Sequence, residues 1–354
     1  MKTFTVNTST PYEVIIEKAL LEHIDERVKL YYSGKKIAII VDKNIDKYYA
    51  KDMKKRLSDF ELKLIPVGYK NEKDAKLFNN IPKLYKQFFD FKLQKNDLVI
   101  VIGGGIVCDA AGFAATTYLG GVKFIQIPAS LSAQVDLAIS SNIHIDTKES
   151  ARSIRLPFCP TAVFVDTDLV HTISDIDFAS GMATLIKYGC IGDYNLFGMI
   201  RSLYSRPKAE EFIQEIVYAA CMVKSNILEQ AKHDSKKEIL LSFGIPLARA
   251  IKNYFENKTI TYTKSHHQYN NDSGYSFGEA HLISMYYTAK YGEKIGVSEE
   301  GTAELLRKIA ATQELPHRIF PEEKEKEFFE HIGKEWIGFV LLKEIGLGII
   351  DIRQ

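Results

Sequence analysis

Leu98-Val99-Ile100-Val101-Ile102-Gly103-Gly104-Gly105-Ile106-Val107-Cys108-Asp109 is the stretch whose reading decides the fold. Its first five residues are apolar and mostly β-branched, with no polar alternation, which is the pattern of a strand buried on both faces of a parallel sheet. Three glycines interrupt the run, and the small apolar segment 106–118 reads as the helix that follows. A glycine-rich strand-to-helix turn lets backbone N–H groups approach a phosphate, and the helix dipole adds a favourable field. The same glycines also suit a tight turn with no ligand, so the flanking elements must decide.

Those elements alternate. Residues 36–41 (KIAIIV) read as a strand, with Asp42-Lys43-Asn44 at its carboxyl end. Ligands of open α/β sheets sit at that end, which makes Asp42 and Asn44 candidate cofactor contacts or, equally, caps of the helix that follows. Residues 61–67 give another strand, and 74–91 have a helical pattern that Pro82 kinks or breaks. Strand 123–127 leads into Pro128-Ala129-Ser130-Leu131, and strand 161–165 into Asp166-Thr167-Asp168.

From Phe178 onward long helical patterns dominate, at 179–191, 209–231, 247–255, 277–295 and 298–309. One polar loop, 263–274, carries His266 and His267. The expectation is an α/β domain, 1–177, followed by an all-α domain, 178–354, with a ligand cleft between them.

Composition bounds the function. The chain has 354 residues with a formal net charge of +1, which argues against nucleic acid or a membrane surface as partner. Cys108, Cys159, Cys190 and Cys221 are scattered, which offers neither a disulfide framework nor a cysteine zinc site. No apolar run reaches membrane-spanning length, and a cytoplasmic location is expected.

The run GGGIVCDAAGFAATTYLGGVKFIQIPASLSAQVD, residues 103–136, resembles the central signature of 3-dehydroquinate synthase and its sugar-phosphate cyclase relatives. The likeness continues through Val165-Asp166-Thr167-Asp168-Leu169 and Ser180-Gly181-Met182-Ala183-Thr184-Leu185-Ile186-Lys187-Tyr188-Gly189, and more faintly at Leu241-Ser242-Phe243-Gly244 and Phe277-Gly278-Glu279-Ala280. It implies a Rossmann-like NAD-binding α/β domain, a helical metal and substrate domain, and a homodimer. In that family NAD transiently oxidises a substrate hydroxyl and zinc polarises the oxygen.

Carried over position by position, the resemblance divides. Gly103, Gly104, Gly105 and Asp109 match the pyrophosphate loop, and Asp42 and Asn44 match an adenosine-side pair. Ser130 keeps a hydroxyl of the family's threonine pair, while Asp136 matches a residue near nicotinamide and substrate. Thr167 is a weaker cofactor candidate, as are Thr172, Glu72 and Lys76. The metal positions, a glutamate and two histidines in the family, are Thr184, Ile245 and Phe277 here, and none of these side chains is a zinc ligand. Zinc is therefore not expected at the family site.

The substrate-holding cations are altered as well, with Glu238 in place of an arginine, whereas Lys187 and Lys224 are retained. Lys187, Lys224 and Asp136 are the candidate catalytic residues. His281, with Glu279, His266 or His267, offers a displaced metal site; Arg152, Arg155 and Arg249 offer a rebuilt site for an anionic small molecule. The leading expectation is an NAD-dependent cyclase or redox enzyme acting on a small polyol or sugar derivative without the usual zinc. The alternatives are a catalytically silent homologue that binds a ligand or partner, and a genuine 3-dehydroquinate synthase.

Overall fold

The computed structural model describes residues 1–68, 78–150, 152–203, 205–256, 258, 260–264, 267–271, 274–313, 315–319, 322–332 and 340–351, with backbone alone for 44, 46–48, 260–264 and 267–271. Two compact units result, Met1–Ile173 and Ser174–Gln354. The 177/178 boundary expected from the sequence falls inside the first turn of a helix. That helix starts at Asp175, where the Ser174 hydroxyl accepts from the Asp177 N–H.

The first unit contains strands β1 (Lys2–Val6), β2 (Tyr12–Glu17), β3 (Lys36–Asp42), β4 (Glu61–Val67), β5 (Leu98–Gly103), β6 (Lys123–Pro128), β7 (Asn142–Ile145), β8 (Ile154–Pro157) and β9 (Ala162–Asp166). Seven of them form one sheet in the order β1-β2-β9-β6-β5-β3-β4. All neighbours pair in parallel except β1 with β2. Helices α1 (Ile24–Lys29), α2 (Lys43–Arg56), α3 (Ile81–Asp90) and α4 (Gly105–Thr117) complete the described part of this unit. Every residue from Leu98 to Ile102 has 0% exposure, as an unalternating apolar strand requires. Ile37, Ile39, Val41, Leu98, Ile100, Ile102, Ile125 and Ile127 belong to one core on one face of the sheet.

Strand order places the switch point. The chain runs outward from β3 to β4, then returns to the other side of β3 to lay down β5, β6 and β9. The carboxyl ends of β3 and β5 therefore flank the reversal, where open α/β sheets bind ligands. Pro82 lies in the first turn of α3, so it starts this helix instead of kinking it. The earlier part of the expected 74–91 helix, up to 77, lies outside the described residues.

The second unit is built on α5 (Asp175–Gly192), α6 (Tyr194–Arg201), α7 (Arg206–Glu211), α8 (Ile213–Ala231), α9 (Ile245–Phe255), α10 (Phe277–Lys294), α11 (Thr302–Thr312) and α12 (Glu322–Ile332). The expected 209–231 helix is two helices, because Phe212 leaves helical backbone between α7 and α8. The polar loop is a hairpin, β10 (Ile260–Lys264) with β11 (His267–Asn271), placing Tyr262 opposite Tyr269. Its alternating Thr and Tyr residues favour a strand once a partner strand is present. A second hairpin, β12 (Val340–Glu344) with β13 (Leu347–Ile350), follows. Among the described residues no helix is long and apolar enough to cross a membrane.

Close backbone approach holds this unit together. A Cβ placed on Gly278 of α10 would meet the Ser180 Cα of α5 at 2.3 Å. Gly278→Ala should force these helices apart and destabilise the unit by about 1–3 kcal/mol. Gly198→Ala, on the exposed face of α6 with nothing within 4 Å of the added atom, should stabilise by about 0.5–1 kcal/mol. Thermal denaturation of the two variants checks both signs.

Candidate functional site

Four chain ends meet the requirements of a ligand site along the carboxyl edge of the sheet. β3 ends at Asp42, β5 at Gly103, β6 runs into Ala129 and Ser130, and β9 into Thr167. The Ala129 N–H donates to the Gly103 carbonyl at 2.8 Å, which locks the ends of β5 and β6 together. The three glycines differ in what they are for. A Cβ on Gly103 would lie 2.9 Å from the Val107 Cβ and 3.4 Å from the Asp42 Cβ, so this glycine is needed for internal packing. A Cβ on Gly104 would meet only the Ser130 Oγ, at 3.9 Å, and one on Gly105 would meet nothing within 4 Å. None of the three has positive φ. Neither strain nor packing therefore demands glycine at 104 or 105, and the space their missing side chains leave is open to a ligand.

Gly104 is also the N-cap of α4 and makes no side-chain cap bond. The first amides of this 13-residue helix therefore point into the same opening. Beside it, a cavity of about 360 Å³ is lined by Lys43, Val67, Gly68, Asn80, Lys83 and Gln87 at the ends of β3 and β4.

On the other side of the glycines a wide turn carries Asp136, its amide-to-carbonyl bond running from Ala138 to Ala133 at 2.9 Å. This i to i+5 spacing inserts an extra residue into the turn. The Gln134 Nε2 donates to the Asp166 carbonyl at 2.7 Å, which ties this turn to the end of β9. The Asp166 carboxylate accepts from the Leu21 N–H at 2.8 Å and the Asp168 N–H at 3.0 Å. Burial nevertheless pushes its carboxyl above the usual carboxylate range. Thr167 has 0% exposure and its hydroxyl oxygen has no hydrogen-bond partner among the described residues. A buried orphan of this kind calls for an explanation, and a ligand supplies one. Asp109 is buried on α4, whereas Asp136 is half-buried. Asn44 lies in the first turn of α2 with its side chain outside the described residues, as are Glu72 and Lys76.

In the second unit, Lys187 on α5 and Lys224 on α8 are both buried. The Lys187 Nζ lies 4.4 Å from the centroid of the Tyr188 ring. The three positions of the expected metal triad fall on α5, α9 and α10, with α10 packed against both of the others. Thr184 sits one turn beyond Ser180, which abuts Gly278. Phe277 precedes that glycine, and Ile245 follows Gly244, whose added Cβ would lie 3.1 Å from the His281 Cδ2. The framework is present with side chains that do not fit a metal ion. The Thr184 hydroxyl donates to the Ser180 carbonyl at 3.1 Å, and the Phe277 ring lies 5.9 Å from that of His281.

The displaced set fares differently from expectation. The His281 Nε2 lies 2.9 Å from the Phe243 carbonyl, so that nitrogen carries the proton and holds the turn before α9. The Glu279 carboxylate accepts from the Ser276 N–H at 2.8 Å in a capping box. Both groups thus hold helix ends. His266 and the side chain of His267 lie outside the described residues. Among the described residues no group of three His, Cys, Asp or Glu is placed to hold a metal.

Of the anion set read from the sequence, Arg155 stands opposite His144 in the β7–β8 register and Arg152 reaches the same His144 from the connecting loop; His144 itself was not singled out from the sequence.

Residues 67–180 match the family model described as 3-dehydroquinate synthase N-terminal, and 181–335 match 3-dehydroquinate synthase C-terminal. A 3-dehydroquinate synthase of Clostridium perfringens (strain SM101 / Type A) is 33% identical, the match covering 99% of this chain and 97% of the relative. That of Clostridium botulinum (strain Alaska E43 / Type E3) is also 33% identical, over 95% and 93% respectively. The solved 2-deoxy-scyllo-inosose synthase complexed with carbaglucose-6-phosphate, NAD+ and Co2+ shares the fold at a TM-score of 0.80 and 16% identity, covering 100% of this chain and 95% of that one. The 2-epi-5-epi-valiolone synthase of Streptomyces hygroscopicus subsp. jinggangensis 5008, with NAD+ and Zn2+ bound, does so at 0.74 and 15%, over 96% and 92%.

The raised Asp166 carboxyl holds its proton more tightly in the folded state than in the unfolded one. Its contribution to stability is therefore lost as pH rises from its ordinary value of about 4 through the raised one. Asp166→Asn keeps an acceptor for the Leu21 N–H and should abolish this loss. The expected outcome is a difference in melting temperature between variant and native protein that grows in favour of the variant with pH; a constant difference would refute it.

Proposed function

Because the chain belongs to the 3-dehydroquinate synthase family, we propose that it is an NAD-dependent enzyme of the sugar-phosphate cyclase type, acting on a small polyol or sugar derivative without the family's zinc. The observation that carries this reading is the contrast between the open Gly104-Gly105 cradle and the metal positions Thr184, Ile245 and Phe277.

The residues present fit a dinucleotide. Asp42, at the end of β3, offers a carboxylate to a ribose diol, and Asn44 stands two residues on. Gly103, Gly104 and Gly105 with the α4 amides offer donors to a pyrophosphate. Ser130, Thr167 and Asp136 continue the line toward the nicotinamide, with Asp109 behind the turn. The bound nicotinamide supplies hydride exchange with a substrate carbinol. The matching hydroxyl proton requires a base, the role proposed for the neutral amine form of Lys187 or Lys224, both buried in the helical unit.

A metal does not fit the three positions, and no step is drawn through one. A hydroxyl already donated to a backbone carbonyl, an aliphatic chain and a phenyl ring offer no ligand set. Glu238, half-buried in the segment Ser235–Ser242, stands where the resemblance places an arginine. A carboxylate there repels the phosphate that an arginine would hold. This is why the activity named for the curated relatives is not carried over whole. The same three positions favour a second reading, a homologue that binds the dinucleotide and turns nothing over.

Gly105→Leu separates these possibilities from a mere fold likeness. The new side chain enters open space in the protein, so melting temperature should hold. NADH binding, followed by nucleotide fluorescence, should weaken about tenfold or more. Native protein that fails to bind NADH at millimolar concentration overturns the proposal. Turnover of sugar phosphates or polyols that survives exhaustive chelation supports it, whereas NADH binding with no turnover selects the silent homologue. Activity abolished by chelation and restored by zinc would return the family's own chemistry.

A further inference from the structure

We propose that the cavity at the carboxyl ends of β3 and β4 receives the 2′-phosphate of NADP(H), so that this chain binds the phosphorylated dinucleotide as well as NAD(H). This rests on the dinucleotide reading above and names a second form of the cofactor that the same site accepts.

Sheet order fixes where that cavity stands. β3 lies between β5 and β4. On the β5 side, the Asp42 Cβ is 3.4 Å from where a Gly103 Cβ would be; on the β4 side, Asp42 has Val67 as its register partner. Neighbouring strands are about 4.8 Å apart. A pyrophosphate over the glycines therefore sets the adenosine ribose against Asp42. The next position outward, against β4, is the one open to a group on the ribose 2′-oxygen.

The cavity has the chemistry of an anion site. Lys43, Asn80, Lys83 and Gln87 line it together with Val67 and Leu84, and no carboxylate is among its described lining residues. Lys43 follows Asp42 directly and starts α2, while Lys83 lies in the first turn of α3. A Cβ on Gly68 would lie 2.6 Å from the Lys43 Cδ, so this lysine crosses the end of β4 through space that only glycine leaves. The Lys83 Nζ donates to the Asn80 Oδ1 at 2.8 Å, a neutral partner that holds the ammonium without cancelling its charge. Among the described residues neither lysine has a carboxylate partner, whereas Lys29, Lys36 and Lys86 of the same unit each reach one. The first turn of α3 contains no acidic residue, so the field of that helix adds to the positive potential. Asp42 opposes a phosphate, because a carboxylate beside the ribose favours the unmodified diol. Two ammonium groups against one carboxylate leave the balance positive, and the ribose is accepted in either form.

The experiment is titration of the full chain with NADH and, separately, with NADPH, followed by nucleotide fluorescence, in the native protein, Lys43→Gln, Lys83→Gln, Asp42→Asn and the control Lys86→Gln. Lys86 is on the same helix as Lys83 and pairs with Asp90. The native protein and the control should bind the two nucleotides within about tenfold of each other. Lys43→Gln and Lys83→Gln should each weaken NADPH about fivefold or more while leaving NADH within about twofold. Retained NADH binding also shows that these variants are folded. Asp42→Asn should shift the preference toward NADPH, because it removes the opposing charge. NADPH that binds the native protein more than about tenfold less tightly than NADH overturns the proposal. So do lysine variants that weaken both nucleotides alike or neither, and an Asp42→Asn variant of unchanged preference. NADH binding without NADPH binding overturns it and leaves the dinucleotide reading standing; binding of neither nucleotide overturns both.

Discussion

At Gly103 there is room for a hydrogen atom and nothing larger. Strand β5 must end there within reach of Asp42 on β3 while Val107 turns back over it from the first helical residues. This one close approach sets where the chain leaves the sheet, how steeply α4 rises from it and which way its first amides point. Gly104 and Gly105 inherit that direction, and the ends of β6 and β9 are tied in by the Ala129 amide and the Gln134 side chain. The row Asp42, Gly103–Gly105, Ser130 and Thr167 is thus a consequence of sheet order and of one missing Cβ.

In the helical unit, how the helices pack and which side chains they present are set separately. Gly278 against Ser180 and Gly244 against His281 bring α5, α9 and α10 together as closely as a ligand-bearing junction would need. The side chains offered at that junction are a hydroxyl bonded to its own helix, an aliphatic group and a half-exposed aromatic ring. Packing constrains backbone-to-backbone distances far more than it constrains what a residue at the rim carries. A fold of this kind therefore tolerates replacement of its chemistry without loss of its architecture.

Much of this was legible in the chain. An apolar run without alternation has one stable home, the middle of a parallel sheet, and Leu98–Ile102 went there. The failures share a cause. Residues 263–274 read as a loop because their polar Thr, Tyr and Asn content resembles one, yet 260–264 and 267–271 pair as strands. The 209–231 helix was read as continuous because periodicity does not register a single residue such as Phe212 leaving helical backbone. Spacing alone offers Glu279 and His281 as ligands but does not show what else they hold, which is the first turn of α10 and the turn before α9.

By itself the sequence determined the class of fold, the strand that anchors it, the glycine turn at its carboxyl end and the residue types at the expected metal positions. These are properties of local pattern and of chemical identity, which a linear chain carries in full. Only the tertiary structure decided which glycine serves packing and which two leave space, that the buried Thr167 hydroxyl has no partner among the described residues, and that Arg152 reaches His144. Each of these depends on distances between residues remote in the chain or on backbone conformation, and such distances are set by how the layers pack.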